Sequence, residues 1–321
     1  MLSNILVYGW YLNGNVGDDL FMDAFRKIFP ELKFTFTNQI TSEQLQKNDA
    51  IFIGGGSFLE SPVKIKGDIL GKIKQKLIFY IGVGSETNIH PTQLELMKLA
   101  KLIAIRSQVN LAKILLINSN TIVIPDIVSS LKDDLIINNK KPKSVLILPN
   151  ITVVPTQQDA HWKHAAWDYF KSEFSQFLNI LIEEKYSINF FPMCDNKTSS
   201  DSWAAIELIN RMSRRQANYL LSPQRDIKSI SELMSSYELI ITQRFHGIIL
   251  SEMIQTPYIS IYHHDKLKSS QKESKNFLSY FSLNKDLLLD NLKSSFNSNL
   301  PIERDIFEQL NKLVLDILYS E

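Results

Sequence analysis

Apolar residues follow two alternating patterns along this chain. Short runs such as "NILVYG", "AIFIGG", "LIFYIGVG", "KLIAIR" and "TIVIPD" are apolar almost throughout. Between several of them, in stretches such as "GDDLFMDAFRKIF" and "HPTQLELMKLA", apolar positions recur at helical spacing. The first pattern predicts strands buried on both faces and the second predicts helices. Their alternation predicts βαβ units around a parallel sheet.

From Asp133 to Lys143 the pattern breaks into "DDLIINNKKPK", polar and basic, which marks a linker. Beyond it "SVLILPN", "YSINFFP", "ANYLLSP", "YELIIT" and "YISIYH" form a second strand series. The stretches "HAAWDYFKSEFSQFLNILIEE", "DSWAAIELINRMS" and "DIKSISELMSS" supply its helices. The expected fold is therefore α/β in two successive halves, residues 1–140 and 141–300, with a C-terminal helix in 301–321 packing back toward the first. Ligands of open α/β sheets bind beyond the carboxyl ends of the strands. Two such sheets facing each other would gather those exits around one cleft.

Composition narrows the class. Thirty-five Lys and Arg stand against 34 Asp and Glu over 321 residues, a net charge of +1. A dedicated nucleic-acid binder carries a basic excess, so no nucleic-acid partner is expected. The single cysteine, Cys194, excludes an intramolecular disulfide and suits a reducing compartment. The N-terminus lacks a basic leader region, and no apolar run approaches the ~20 residues of a membrane-spanning helix. A cytoplasmic protein is expected.

At the first strand exit, "GWYLNGNVGDD" (Gly9 to Asp19), three glycines let the backbone turn and leave amides near a helix N-terminus, where an anion can sit. Asn15, Gly17, Asp18 and Asp19 are its candidate ligand or loop residues. Carboxylates in a first helical turn also complement the dipole, and for the two aspartates that role has the stronger claim. The spacing is not G-x-G-x-x-G, and the next strand, "FTFTN", ends without an acidic residue, which disfavours a nicotinamide cofactor. "GGGS", with Gly55, Gly56 and Ser57 as candidates, and Gly82-Val83-Gly84-Ser85 read either as a ligand-accessible floor or as tight exits from the sheet. Arg106 ends "LIAIR" as either a solvated surface group or a fork for a carboxylate or phosphate. Asp126, ending "TIVIPD", suits a turn or an N-cap.

The most specific exit lies in "ELIITQRFHGIILSEMIQTPYISIYHHDK", Glu238 to Lys266. Arg244 and His246 are two apart, so an extended backbone would project them to one side. Gly247 lets the chain bend, and the following helix turns its amide end to the loop. A fixed cation, a titratable ring and a helix N-terminus together suit an anion and a proton transfer. Lys266 adds a cation at the neighbouring exit.

Rival constellations are poorer. His161 and His164, near Asp159, lack the further ligands of a zinc set and read as helix-entry residues. His263-His264-Asp265 places adjacent ligands on opposite faces of a strand. There is no G-x-S-x-G elbow or P-loop. Lys64, Lys66, Lys72, Lys74 and Lys76 read as a solvated face, with contact to an anionic membrane surface as the minority reading. No metal and no cofactor are expected.

Taken in order, "NVGDD", "GGGS", "GVG", Arg106, "IPD", "FFPMCDN", "DSWAA" and "TQRFHGIIL…TPYISIYHHDK" resemble the polysaccharide pyruvyl transferase family. The Arg-x-His-Gly segment with the lysine beyond it is the distinctive part. The resemblance implies two Rossmann-like domains in a GT-B-like arrangement with an interdomain cleft. It also implies transfer of the enolpyruvyl group of phosphoenolpyruvate (PEP) to a sugar diol of a cell-surface polysaccharide or its lipid-linked precursor, giving a pyruvate ketal and phosphate. It assigns His246 as general acid and Arg244, Lys266, Arg106 and Gly247 to PEP. The first domain, with Asn15, Gly17, Asp18, Asp19, Gly55, Gly56, Ser57 and Asp126, becomes the acceptor side. Ser107 stands where the family usually has an acidic residue, and Ile127 where it has a proline. A lipid-linked acceptor would bring the protein to the inner face of the membrane. The alternatives are a GT-B glycosyltransferase using a nucleotide-sugar, with the same cations on a diphosphate, and a non-catalytic glycan-binding relative. The acceptor sugar and the oligomeric state stay open.

Overall fold

The computed structural model describes residues 4–57, 59–65, 69–86, 88–196, 200–213, 218–221, 226–262, 277–293 and 305–320. The chain divides into two compact units. Unit 1 takes residues 1–13, 17–133 and 301–321, and unit 2 takes 14–16 and 134–300.

In unit 1 the apolar runs become strands β1 (Asn4–Tyr8), β3 (Ala50–Gly56), β4 (Leu77–Val83), β5 (Leu102–Ile105) and β6 (Thr121–Val123), and the alternating stretch from Lys33 to Thr37 becomes β2 (Lys33–Thr37). They pair in parallel in the order β2-β1-β3-β4-β5-β6. Helices α1 (Val16–Ile28), α2 (Ser42–Lys47), α3 (Leu70–Lys74), α4 (Pro91–Leu99) and α5 (Leu111–Ile117) connect them. Burial on both faces explains the unbroken apolar runs of β1, β3, β4 and β5. Phe25 of α1 and Phe29 just beyond it meet Phe34 of β2 and Phe52 of β3 with ring centroids 5.6–6.5 Å apart. A separate, largely aliphatic cluster gathers Leu6, Ile51, Ile53, Ile78 and Ile103.

Unit 2 repeats the plan with β7 (Lys141–Leu148), β8 (Ser187–Phe190), β9 (Asn218–Leu220), β10 (Tyr237–Thr242), β11 (Tyr258–Tyr262) and β12 (Phe277–Ser279). All its pairs are parallel, in the order β12-β11-β10-β7-β8-β9. Its helices are α6 (His161–Glu183), α7 (Asp201–Arg211), α8 (Ile227–Ser235), α9 (Phe245–Met253) and α10 (Lys285–Lys293). A last helix, α11 (Asp305–Ser320), belongs to unit 1 and buries Phe307, Leu310, Val314 and Leu318, spaced three or four apart.

The polar stretch expected to be a linker differs from that reading. The unit boundary falls at Asp133/Asp134, and Lys141–Lys143 already lie in β7. The residues between are fastened to α8: the Ile136 and Asn138 amides donate to the hydroxyls of Ser231 and Ser235, both at 2.9 Å. Serine hydroxyls on a helix thus satisfy a backbone whose composition suggests solvent.

Phe170 lies at the centre of unit 2's core. It stacks on Trp167, Phe174 and Tyr280 at 5.6, 5.2 and 4.7 Å, with no solvent exposure. Phe170→Ala should cost about 3–5 kcal/mol through lost contacts and the cavity left behind. A lower urea midpoint checks this, and an unchanged one would contradict the packing.

Candidate functional site

In unit 2, Asp201 is the first residue of α7 and its side chain has no solvent exposure. Its Oδ1 accepts from the Ile151 amide at 2.9 Å and its Oδ2 from the Cys194 amide at 2.8 Å. Arg244 forks onto the same carboxylate, with Nε 3.0 Å from Oδ2 and Nη2 bonded to Oδ1. One anion therefore fastens the chain leaving β7, β8 and β10 at the carboxyl edge of the sheet. Charge-assisted, bidentate bonds of this kind are the strong ones.

Arg244 is the N-cap of α9, with extended backbone (φ −113°, ψ 135°) and no capping bond from its side chain. Thr242 closes the turn, its hydroxyl accepting from Arg244 N–H at 3.0 Å and donating to Arg244 C=O at 3.1 Å. The backbone around Arg244 is held further by Asn150. Its amide N–H donates to Gln243 Oε1 at 3.1 Å, and its Nδ2 to Gln243 C=O at 3.3 Å.

The extended spacing expected to align Arg244 and His246 ends at Arg244, because Phe245 and His246 already belong to α9. His246 is buried in the helix's first turn, its ring edge-on to Phe245. Gly247 is helical as well, so it supplies close approach in place of a bend. A Cβ there would meet the Thr242 hydroxyl and a Leu148 methyl.

Asn15 lies in the short segment that unit 2 takes in. It bridges Cys194, with the Val16 amide on Met193 C=O at 2.8 Å and the Asp195 amide on Gly14 C=O at 2.9 Å. Asn15 is thus placed beside the Cys194–Asp201–Arg244 cluster.

The strand exits of unit 1 form their own polar cluster. Arg106 Nη1 pairs with Asp126 Oδ2 at 2.8 Å, the two side chains only 1% and 3% exposed. Arg106 Nη2 donates to Ser57 Oγ at 2.7 Å, and that hydroxyl donates to Glu86 Oε2 at 3.2 Å. Asp126 Oδ1 also caps the following 3₁₀ helix through Val128 N–H at 3.0 Å. Asp19 ties the first loop, accepting from Leu12 N–H at 2.8 Å, while Gly17 and Asp18 lie in the first turn of α1. Tyr11 donates to Gly54 C=O; burial, and behind it the Asp18 charge, hold its phenol well above the usual tyrosine range. Gly55 and Gly56 need their positive φ of 73° and 91°, and the ring of Phe21 fills the space a Gly55 Cβ would take.

Lys266, His263, His264, Asp265 and Lys66 lie outside the described residues. His161 and His164 are in the first turn of α6, with Asp159 just before it accepting from Thr156 and Lys163. The other lysines of the basic stretch are engaged locally: Lys64 over the Trp10 ring, Lys72 with Ser42, Lys74 with Glu95, and Lys76 with Asn48 C=O. Sequence reasoning missed Asp201. It opens "DSWAA" like any aspartate complementing a helix dipole, and its partner is 43 residues away.

A family model for polysaccharide pyruvyl transferases matches residues 15–265, more than half of the chain. No curated protein sequence matches the chain. Among solved structures it resembles the UDP-GlcNAc 2-epimerase of Methanocaldococcus jannaschii, with a TM-score of 0.59 at 9% identity, over 99% of this chain and 100% of that one. It also resembles the UDP-GlcNAc 2-epimerase of Neisseria meningitidis bound to UDP-GlcNAc, at 0.55 and 10% identity over 100% of both chains. At such identities the likeness establishes the fold, two parallel α/β units of the GT-B class.

Asp201→Ala should destabilise unit 2 by about 3–5 kcal/mol, the cost of leaving a buried partner charge unpaired. Asp201→Asn keeps the shape and should cost less. Urea unfolding of both variants checks this order. Equal, small losses would show that the ion pair holds nothing in place.

Proposed function

The chain belongs to the polysaccharide pyruvyl transferase family, a family of transferases, and on that footing we propose that it transfers the enolpyruvyl group of PEP to a sugar diol, forming a pyruvate ketal and releasing phosphate. The observation that carries this reading is the Asp201-held guanidinium of Arg244 at the N-terminus of α9, with His246 in the same first turn. The fork occupies the Nε and Nη2 edge of Arg244, leaving the Nη1 edge for an anionic donor. PEP, with a carboxylate and a phosphate, requires several such donors.

His246 as imidazolium donates a proton to the methylene carbon of PEP while a sugar hydroxyl bonds to the neighbouring carbon. That hydroxyl's proton restores the imidazolium. Phosphate then leaves, and a second hydroxyl on the same sugar closes the ketal, its proton departing with the phosphate. The balance is PEP plus diol giving ketal plus phosphate, with no metal in the scheme. Lys266 is proposed as a further PEP cation. Arg106, expected at PEP, is buried against Asp126 and Ser57 in unit 1, and its proposed role is instead to place Ser57 and the exits around it. The loop residues of unit 1, with Asn15, are proposed for the acceptor. No described helix is long and apolar enough to cross a membrane. A lipid-linked acceptor would place the protein at the inner membrane face.

PEP-dependent phosphate release against a panel of acceptor glycans tests the reading, since a nucleotide-sugar glycosyltransferase would release nucleotide. Arg244→Ala should weaken PEP binding by about 1.5–3 kcal/mol, the size of a lost ionic hydrogen-bond set. His246→Gln should leave most of that binding and lower kcat by roughly 10²–10⁴-fold, as for a lost general acid. A His246→Gln enzyme with normal kcat places the acid elsewhere.

Turnover should survive EDTA. Loss on chelation, restored by one divalent ion, would contradict the metal-free scheme.

A further inference from the structure

Unit 2 carries a second feature on the carboxyl edge of its sheet. A cavity of about 180 Å³ is lined by residues that include Thr152, Pro155, Trp162, Lys163, Tyr280 and Phe281. Thr152 and Pro155 follow β7, Trp162 and Lys163 open α6, and Tyr280 and Phe281 follow β12. Each lies where ligands of open α/β sheets bind. Hydrogen bonds link the cavity to Arg244: Asp201 accepts from Ile151 as well as from Arg244, and the next residue, Thr152, is in the lining.

The lining combines apolar faces with a charged pair, Asp159 and Lys163. Trp162 and Phe281 are 59% and 54% exposed, their centroids 6.1 Å apart and their planes at 47°. Two large rings left side by side in solvent mark a binding surface more often than a chance arrangement. Behind them Tyr280 is buried, and its hydroxyl has no hydrogen-bond partner among the described residues. Burial, and then the charge of Asp168, push that phenol above the usual tyrosine range, so it stays a neutral O–H. Lys163, held by Asp159, brings an ammonium to the rim.

A matching ligand must offer C–H groups to the rings and hydroxyls to Asp159 and Lys163, both in the lining. A pyranose does both. An alkyl chain offers nothing to that pair, and a bare anion meets the negative faces of the rings. We propose that this cavity is a saccharide subsite, in which a sugar ring of the acceptor glycan stacks on Trp162 and Phe281 and bonds Asp159 and Lys163. Only the identification of that glycan as the acceptor rests on the proposed pyruvyl transfer.

Saturation-transfer difference NMR on the full chain without PEP tests the subsite. The probes are the methyl glycosides of glucose, galactose, mannose, N-acetylglucosamine and N-acetylmannosamine, with UMP as the competing chemistry. Ring C–H protons of at least one glycoside should receive saturation. Trp162→Ala and Phe281→Ala should each weaken its binding about tenfold, the size of one lost ring contact. Lys163→Met should weaken it less, without lowering the melting temperature. The thermal shift given by PEP should be the same in all three variants as in wild type. If PEP gives no shift in wild type while glycoside binding still depends on Trp162, the subsite stands and the transfer reading falls. The subsite is overturned if no glycoside is saturated, or if saturation persists in the Trp162→Ala/Phe281→Ala double variant. Saturation of UMP alone, or flotation with anionic vesicles that the double variant loses in the absence of any glycoside signal, also overturns it.

Discussion

A carboxylate with no access to water has to be surrounded by donors, and unit 2 is arranged around that requirement at Asp201. Two backbone amides and two guanidinium N–H groups converge on it. Removing either ionic partner would leave a buried charge alone, which costs far more than a surface pair is worth. The positions of the Ile151, Cys194 and Arg244 backbones are therefore not independent. Arg106 and Asp126 apply the same device at the strand exits of unit 1, with Ser57 held on the second guanidinium nitrogen.

This arrangement has a chemical consequence. An arginine fixed on one edge by a buried carboxylate keeps its plane and presents the other edge, so less ordering is left to be done when an anion binds. The N-cap position of Arg244 adds the amide end of α9 to the same place, where the helix dipole favours negative charge. Gly247 lets α9 approach β10 and β7 closely enough for this, since any side chain there would strike Thr242 and Leu148. The proposed chemistry on PEP needs an anion holder beside a proton donor, and the first turn of α9 supplies a candidate for each.

Much of the fold was legible because buried parallel strands leave an unmistakable apolar run, and β1, β3, β4, β7, β10 and β11 all arise from such runs. Arg244, His246 and Gly247 stood out because they sit together at one exit. Their geometry did not follow from spacing, since the helix begins at Phe245, three residues before the Ile248 start that the extended reading implied. Asp201 escaped because its role depends on a partner 43 residues away, and a first-turn aspartate has a sufficient local explanation. The polar stretch before β7 misled for the converse reason: its amides are met by serines of α8, which composition cannot reveal. Of the two readings of Gly55, floor or tight exit, the packing of Phe21 against it accounts for the second, and composition could not show that contact.

The proposed PEP site lies at the exit of β10, in a fold shared with a UDP-GlcNAc 2-epimerase bound to UDP-GlcNAc. Isothermal titration of the wild-type chain with PEP, alone and in the presence of saturating UDP-GlcNAc, addresses it directly. PEP should bind with the same affinity in both titrations, and more tightly than pyruvate or inorganic phosphate, because each of those supplies only one of its two anionic ends. Heat from UDP-GlcNAc with none from PEP, or displacement of PEP by the nucleotide-sugar, would contradict it.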